Sequence, residues 1–141
     1  MDRNNERNHL LASVLLVDDD PQLLAAMTLR LSDIGCRCTA CGNASEAMIQ
    51  YAAGNFDLII TDMSMPGIDG LSVIAMIRSQ SEIPILVMTG HSAEYGPLIE
   101  GYKNVTLIRK PLEPRALIAC IRSFLSGTHA DCRASAFEAR S

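Results

Sequence analysis

Five short apolar runs alternate along the chain with stretches whose apolar residues recur every three or four positions. The runs occupy residues 13–17, 36–40, 57–61, 83–88 and 105–109. Three of them are almost continuously hydrophobic, which is typical of strands buried on both faces. The stretches between them have the spacing of helices with one buried face, as in Leu24, Met27 and Leu31. This order, repeated five times, predicts an α/β fold with a doubly wound parallel sheet and helices on both faces.

Two helix starts are marked by capping residues. Asp20 precedes Pro21, which predicts an N-cap followed by proline at the first helical position. We therefore assign Asp20 to the start of the first helix and not to a metal site. Asn43 and Glu46 have the spacing of a capping box, which predicts the start of the second helix.

The length and composition indicate one globular domain. The chain has 141 residues, of which 48% are hydrophobic, and a formal net charge of −4. It contains no cluster of basic residues, which argues against direct binding of nucleic acid. No apolar run approaches the roughly 20 residues of a membrane span, and the N-terminus lacks a secretory h-region. We therefore expect a cytoplasmic protein with no membrane partner.

The five cysteines are odd in number and unevenly spaced, which predicts reduced thiols in place of a disulfide framework. Three of them form the sequence CRCTAC at residues 36–41. A metal site is one interpretation of this sequence, but the spacing fits no standard zinc pattern. We favour a strand in which Cys38 and Cys41 are small buried hydrophobes.

Chemistry is expected where the strands end, because ligands of such sheets bind beyond the carboxyl ends of the strands. The residues at those ends are Asp18, Asp19 and Asp20 after strand 1, Asp62 after strand 3, Thr89 after strand 4 and Lys110 after strand 5. Carboxylates gathered at one edge repel one another and predict a hard cation such as Mg²⁺. A hydroxyl and an amine beside that ion suit a phosphoryl group, and a carboxylate can itself be the nucleophile that forms an acyl phosphate.

Four motifs, LLVDDDP, DLIITDMSMPGIDG, MTG and RKPL, resemble those of the receiver domain of two-component response regulators. The resemblance covers about residues 13–126 and depends on the order and spacing of all four motifs. It implies a flavodoxin-like three-layer sandwich with five helices and a five-stranded sheet of order 2-1-3-4-5. It also implies a phosphoprotein that takes a phosphoryl group, with Mg²⁺, from a sensor histidine kinase or a phosphotransfer protein and signals to a downstream protein target.

The resemblance assigns a role to each matching residue. Asp62 corresponds to the phosphoacceptor, and Asp18 and Asp19 correspond to the acidic pair that holds Mg²⁺ together with Asp62. Asp19 is expected to bind the ion directly, and Asp18 largely through water. The backbone carbonyl of Ser64 corresponds to a further metal ligand, Thr89 to the switch hydroxyl and Lys110 to the partner of a phosphoryl oxygen. Gly90 and Pro111 correspond to structural residues near the site, and the Lys110–Pro111 bond is expected to be cis.

Three features depart from the family pattern. Leu107 stands three positions before the lysine, where the family usually has an aromatic residue. Gly90 occupies a position that is usually alanine, and His91 follows it. The fourth helix contains Gly96 and Pro97, which are both poor residues in a helix interior. These differences bear on how the domain would signal, and they leave the phosphorylation chemistry unchanged.

Two other functions are compatible with the same residues. One is a receiver-like docking module that signals without phosphate, which Leu107 and the unusual fourth helix motivate. The other is an aspartyl phosphohydrolase, although Ser64 stands where such enzymes carry a second acid. We therefore expect a phosphoacceptor and not an enzyme, present as a monomer or a weak dimer.

The predicted organisation has three parts. Residues 1–10 form a flexible N-terminal segment, residues 11–126 the receiver domain, and residues 127–141 a flexible C-terminal tail. An initial Met1 and a tail unlike a linker favour a stand-alone receiver over a fragment of a longer regulator.

Overall fold

A five-stranded parallel sheet forms the centre of the protein, in a computed structural model that describes residues 12–63, 70–90, 92–110 and 114–126. The strands are β1 (Ala12–Val17), β2 (Cys36–Cys41), β3 (Leu58–Asp62), β4 (Ile85–Thr89) and β5 (Val105–Arg109). Their order in the sheet is β2-β1-β3-β4-β5, and every neighbouring pair is parallel. The predicted fold class and strand order are both confirmed.

Five helices connect the strands and cover both faces of the sheet. They are α1 (Pro21–Asp33), α2 (Ala44–Ala53), α3 (Gly70–Arg78), α4 (Ser92–Ile99) and α5 (Pro114–Ser126). One hydrophobic cluster packs α1 and α5 against the sheet, through residues such as Leu31 and Ile121. A second cluster packs α2, α3 and α4 against the other face, through residues such as Ala47, Ile74 and Ile99. None of the described helices is long and apolar enough to span a bilayer.

Every residue of the central strands β3 and β4 is buried. Alternate side chains enter opposite clusters, so that Ile60 belongs to the α1–α5 side and Ile59 to the other side. Burial of an unpaired charge in such apolar layers would be costly. The one charged residue of these two strands, Asp62, therefore lies at the end of β3, where the sequence predicted the chemistry.

Both predicted helix caps are present. The Asp20 carboxylate accepts hydrogen bonds from the backbone N–H groups of Gln22 at 3.0 Å and Leu23 at 3.4 Å, which confirms it as the N-cap of α1. Asn43 Oδ1 accepts the N–H of Glu46 at 2.8 Å. The Glu46 carboxylate reaches back to the N–H of Gly42, at 3.0 Å, one residue before the amide of a standard capping box.

The predicted burial of the β2 cysteines is confirmed for Cys41 and only in part for Cys38. Cys36 and Cys41 are buried, whereas Cys38 is only partly buried and lies 3.6 Å from the Thr28 hydroxyl. Cys36 and Cys38 contact the α1–α5 cluster, and Cys41 belongs to the cluster on the opposite face. Residues two apart in a strand share a face, so these thiols lie on both sides of the sheet and do not converge. Burial also raises the pKa of Cys41 to about 11, which keeps this thiol protonated.

Helix α4 is the shortest of the five described helices, with eight residues, and it contains Gly96 and Pro97. Pro97 has no N–H to donate to the helix, which weakens an already short segment. A Cβ atom on Gly96 would lie 3.8 Å from Leu107 Cδ2. The glycine thus brings α4 close to the aliphatic side chain that replaces the usual aromatic residue of β5.

We predict that Asp20→Ala lowers the free energy of unfolding by about 1 kcal/mol, because two amides of α1 lose their acceptor. Asp20→Asn is the matched control, since it removes the same charge but keeps a side-chain oxygen. Urea denaturation followed by circular dichroism would compare the two variants. Equal stability of the alanine and asparagine variants would contradict this prediction. It would mean that the charge of Asp20, and not its hydrogen bonds to the α1 amides, stabilises the helix.

Candidate functional site

The register of the parallel strands brings the predicted residues to one edge of the sheet. Val17 of β1 is the partner of Thr61 of β3, so the next residues along the chain, Asp18 and Asp62, lie side by side at this edge. Asp62 lies one residue further into β3 than predicted and pairs with Met88 of β4. The phosphoacceptor candidate is therefore held by the sheet itself and not by a loop.

Three carboxylates converge at this edge. Asp18, Asp19 and Asp62 each offer an oxygen, and these oxygens all lie within 4.8 Å of one another. Asp18 is 1% exposed and Asp62 is 5% exposed, whereas Asp19 is exposed to solvent. Oxygen donors at this spacing are the kind of ligands that Mg²⁺ prefers. Among the described residues, the group is also the one set of three acidic, histidine or cysteine side chains close enough to share an ion.

Lys110 connects the two buried carboxylates. Its Nζ atom lies 3.2 Å from Asp62 Oδ2 and 3.4 Å from Asp18 Oδ2. The lysine follows β5 directly, and its backbone N–H donates to the carbonyl of Thr89 at 2.7 Å, which extends the pairing of β4 and β5 by one residue. The lysine side chain remains 34% exposed, so one end of this ion-pair group is open to an incoming ligand.

Asp18 is held in place from both sides. Its backbone N–H donates to the carbonyl of Cys41 at 3.1 Å, and its Oδ1 atom accepts the backbone N–H of Asp20 at 2.9 Å. The sequence analysis missed this second contact, by which the residue that caps α1 also positions a site carboxylate. An aspartate that accepts an amide two residues ahead is a common turn pattern, and the DDDP sequence contained that signal.

Burial raises the pKa of Asp18 above its ordinary value. The Asp20 amide and the Lys110 ammonium group oppose this rise, and the Asp62 carboxylate adds to it. Burial by itself lowers the pKa of Lys110, but the carboxylates of Asp62 and Asp18 reverse this effect and raise the lysine pKa. One ammonium group faces three carboxylates, so the edge carries an excess of negative charge that a divalent cation would offset.

Thr89 is the last residue of β4 and is completely buried. Gly90 follows it and is exposed, and a Cβ atom at this position would meet no heavy atom within 4 Å. An alanine, which is usual at this position in the family that the sequence resembles, would therefore fit here without displacing a neighbour. Ser64, His91 and Pro111, which the sequence analysis named, lie outside the described residues, as do residues 1–11 and 127–141.

A model of the response regulator receiver domain matches residues 14–122. The chain belongs to this family. Among curated relatives, the receiver is 29% identical over 127 residues to the transcriptional regulatory protein ResD of Bacillus subtilis, covering 89% of this chain and 50% of ResD. The chain spans about half the length of ResD and of three further relatives.

Solved receivers have the same architecture. The chemotaxis response regulator CheY4 of Vibrio cholerae is 26% identical and superimposes with a TM-score of 0.71, covering 80% of this chain and 98% of that one. The response regulator TrrA of Thermotoga maritima, in complex with Mg²⁺-BeF, is 27% identical with a TM-score of 0.71, covering 79% of this chain and 97% of that one. The flavodoxin-like fold implied by the resemblance is confirmed.

This receiver differs from the family pattern at β5. Leu107 is half-buried and packs against the cluster on the α2–α4 side of the sheet. Its aliphatic side chain stands where the sequence comparison with the family leads one to expect an aromatic ring. Gly96 of α4 lies next to Leu107, and a Cβ atom added to this glycine would be 3.8 Å from Leu107 Cδ2.

We predict that Asp18 increasingly destabilises the metal-free protein as the pH rises above 3.8, the ordinary pKa of an aspartate. The folded-state pKa of Asp18 is raised, so the folded protein holds this proton more tightly than the unfolded chain, and stability falls until the pH passes the raised pKa. Asp18→Asn should remove this loss and be more stable than the wild type at pH 7. Urea denaturation in EDTA across this pH range would measure both effects.

Asp33→Asn is the control for this measurement, because it makes the same change at an exposed aspartate and should keep the wild-type pH profile. An Asp18→Asn variant that is less stable than the wild type at pH 7 would contradict the prediction. It would mean that the ion pair with Lys110 outweighs the cost of burying the carboxylate.

Proposed function

We propose that this receiver accepts a phosphoryl group on Asp62 from the phosphohistidine of a sensor kinase or a phosphotransfer protein, with Mg²⁺ at the acidic cluster. One observation carries the proposal: a buried carboxylate at the end of a central strand lies beside two further carboxylates and 3.2 Å from a lysine ammonium group. This combination supplies a nucleophile, oxygen ligands for a cation and a positive charge for a phosphoryl oxygen.

The transfer itself exchanges one bond for another. A carboxylate oxygen of Asp62 forms the new bond to phosphorus as the bond from phosphorus to the imidazole nitrogen breaks, and the imidazole leaves with that electron pair. Lys110, already beside Asp62 Oδ2, would then pair with a phosphoryl oxygen. Bound Mg²⁺ would screen the charges of the attacking carboxylate and the phosphoryl group.

The three adjacent aspartates have different roles in this proposal. Both oxygens of Asp18 already have partners, Oδ1 in the Asp20 amide and Oδ2 in Lys110. Asp19 is exposed, and no hydrogen bond or ion pair of its carboxylate occurs within the described ranges. Asp19 is therefore the better direct ligand, with Asp18 acting through water. The Ser64 carbonyl as a further ligand and the switch role of Thr89 stay predictions of the resemblance.

A docking module that signals without phosphate is the second candidate, and Leu107 is the observation that favours it. A chain of this type would bind its partner equally well before and after phosphorylation. Turnover as a phosphohydrolase is a weaker alternative, because the residue two positions after Asp62 is a serine. Multiple turnovers on a small phosphate ester would revive that alternative.

We predict that acetyl phosphate with Mg²⁺ adds one phosphoryl group to the protein, and that Asp62→Asn abolishes this addition, because the nucleophilic carboxylate is lost. Intact-mass spectrometry would measure the addition. Asp33→Asn is the control and should be modified like the wild type. A wild-type protein that stays unmodified, or an Asp62→Asn variant that is modified to the same extent, would contradict the proposal.

We also predict that the three aspartates differ in their effect on Mg²⁺ binding. Asp18→Asn should weaken binding by about 10- to 100-fold, as expected for an outer-shell partner, and Asp19→Asn should weaken it more. Asp20→Asn should bind Mg²⁺ like the wild type, because its carboxylate caps α1. Isothermal titration calorimetry would measure the three affinities. Comparable losses for Asp20→Asn and Asp19→Asn would make Asp20 a ligand and overturn this assignment.

A further inference from the structure

An open cleft of about 390 Å³ lies between α1 and α5. From the end of α1 it is lined by Arg30, Asp33 and Ile34. From α5 it is lined by Arg115, Ile118, Ala119 and Arg122. None of these residues belongs to the carboxylate site, so the proposed phosphoryl transfer does not explain why they are gathered here.

The cleft is basic, although the protein as a whole is acidic. Three guanidinium groups face one carboxylate, against a net charge of −4 for the chain. Arg30, Arg115 and Arg122 are all exposed. In the part of the chain that the structure describes, no ion pair or hydrogen bond engages their guanidinium groups. These cations are therefore available to a ligand of opposite charge.

Positive and apolar positions alternate along α5. Arg115 and Arg122 are seven residues apart, which places them on the same helix face about 10 Å from one another. Ile118 and Ala119 lie between them on that face and form an apolar floor. A helix that carries acidic residues seven positions apart, with an apolar side chain between them, has the complementary pattern.

We propose that this cleft, formed by α1 and α5, docks an acidic amphipathic helix of a partner protein. The inference is independent of the proposed phosphoryl transfer, because it uses none of the site residues. Nucleic acid is a poorer match, since a phosphate backbone offers nothing to the apolar floor and the chain as a whole is acidic. A small anion is also a poorer match, because small ligands favour pockets that enclose most of their surface.

The test uses the full chain and a synthetic helical peptide with two glutamates seven residues apart and a leucine between them. Fluorescence anisotropy should detect binding at low salt that weakens as salt is added. A second peptide, with glutamine in place of both glutamates, should bind more weakly. Arg115→Gln with Arg122→Gln should weaken binding of the acidic peptide by about 5- to 20-fold, as expected from the loss of two exposed ion pairs.

Two single substitutions test whether peptide binding depends on the charges inside the cleft. Lys103→Gln removes one positive charge from an exposed position outside the cleft and should leave peptide binding almost unchanged. Asp33→Asn removes the one acidic group of the cleft lining and should strengthen binding. The circular dichroism spectrum and urea midpoint of every variant should match those of the wild type, which shows that each is folded and keeps this test separate from that of the phosphoacceptor.

Several outcomes would overturn the proposal. These are no binding of the acidic peptide, equal binding of the glutamine peptide, or equal losses for the arginine variants and Lys103→Gln. Tighter binding of a short DNA duplex, sensitive to the same arginines, would identify a nucleic-acid surface instead. Complete competition by inorganic phosphate at low concentration would identify a small-anion site.

Discussion

Repulsion among carboxylates is the interaction on which the rest of the site depends. The parallel pairing of β1 and β3 sets Asp18 and Asp62 side by side, and Asp19 adds a third oxygen within 4.8 Å. Both faces of the sheet are covered by apolar side chains, so these charged groups can lie only at the ends of the strands. Lys110 and the amide of Asp20 offset part of the repulsion. The edge keeps an excess of negative charge, which a divalent cation would offset.

The same arrangement couples the stability of the domain to its chemistry. Asp20 holds the first amides of α1 with its side chain, and its own amide holds Asp18. The turn at Asp20 therefore fixes both the start of α1 and the position of Asp18 in the acidic cluster. Because Asp18 is buried near another carboxylate, a cation bound at this edge would offset their repulsion and would also stabilise the fold.

The two faces of the sheet offer different surfaces for communication. On one face, α4 is short and lies close to an aliphatic Leu107, so the aromatic side chain that usually responds to phosphorylation is missing. On the other face, Arg115 and Arg122 border an open cleft with an apolar floor. Charge complementarity at this second face offers a way to recruit a partner that does not require a rearrangement of β5.

The sequence by itself determined the elements and the chemistry of this protein. Continuous apolar runs predicted the five strands, and the Asp20–Pro21 pair predicted the α1 cap, because burial and capping act on residues close in sequence. The strand order came from the family resemblance, since it depends on how distant strands pair. Cys38 was predicted to be buried and is only partly buried, because the exposure of an edge strand depends on the helix that covers it. The contact between Asp18 and Lys110 and the basic cleft were decided by the tertiary structure alone, since residues separated by most of the chain meet only when the sheet register brings their elements together.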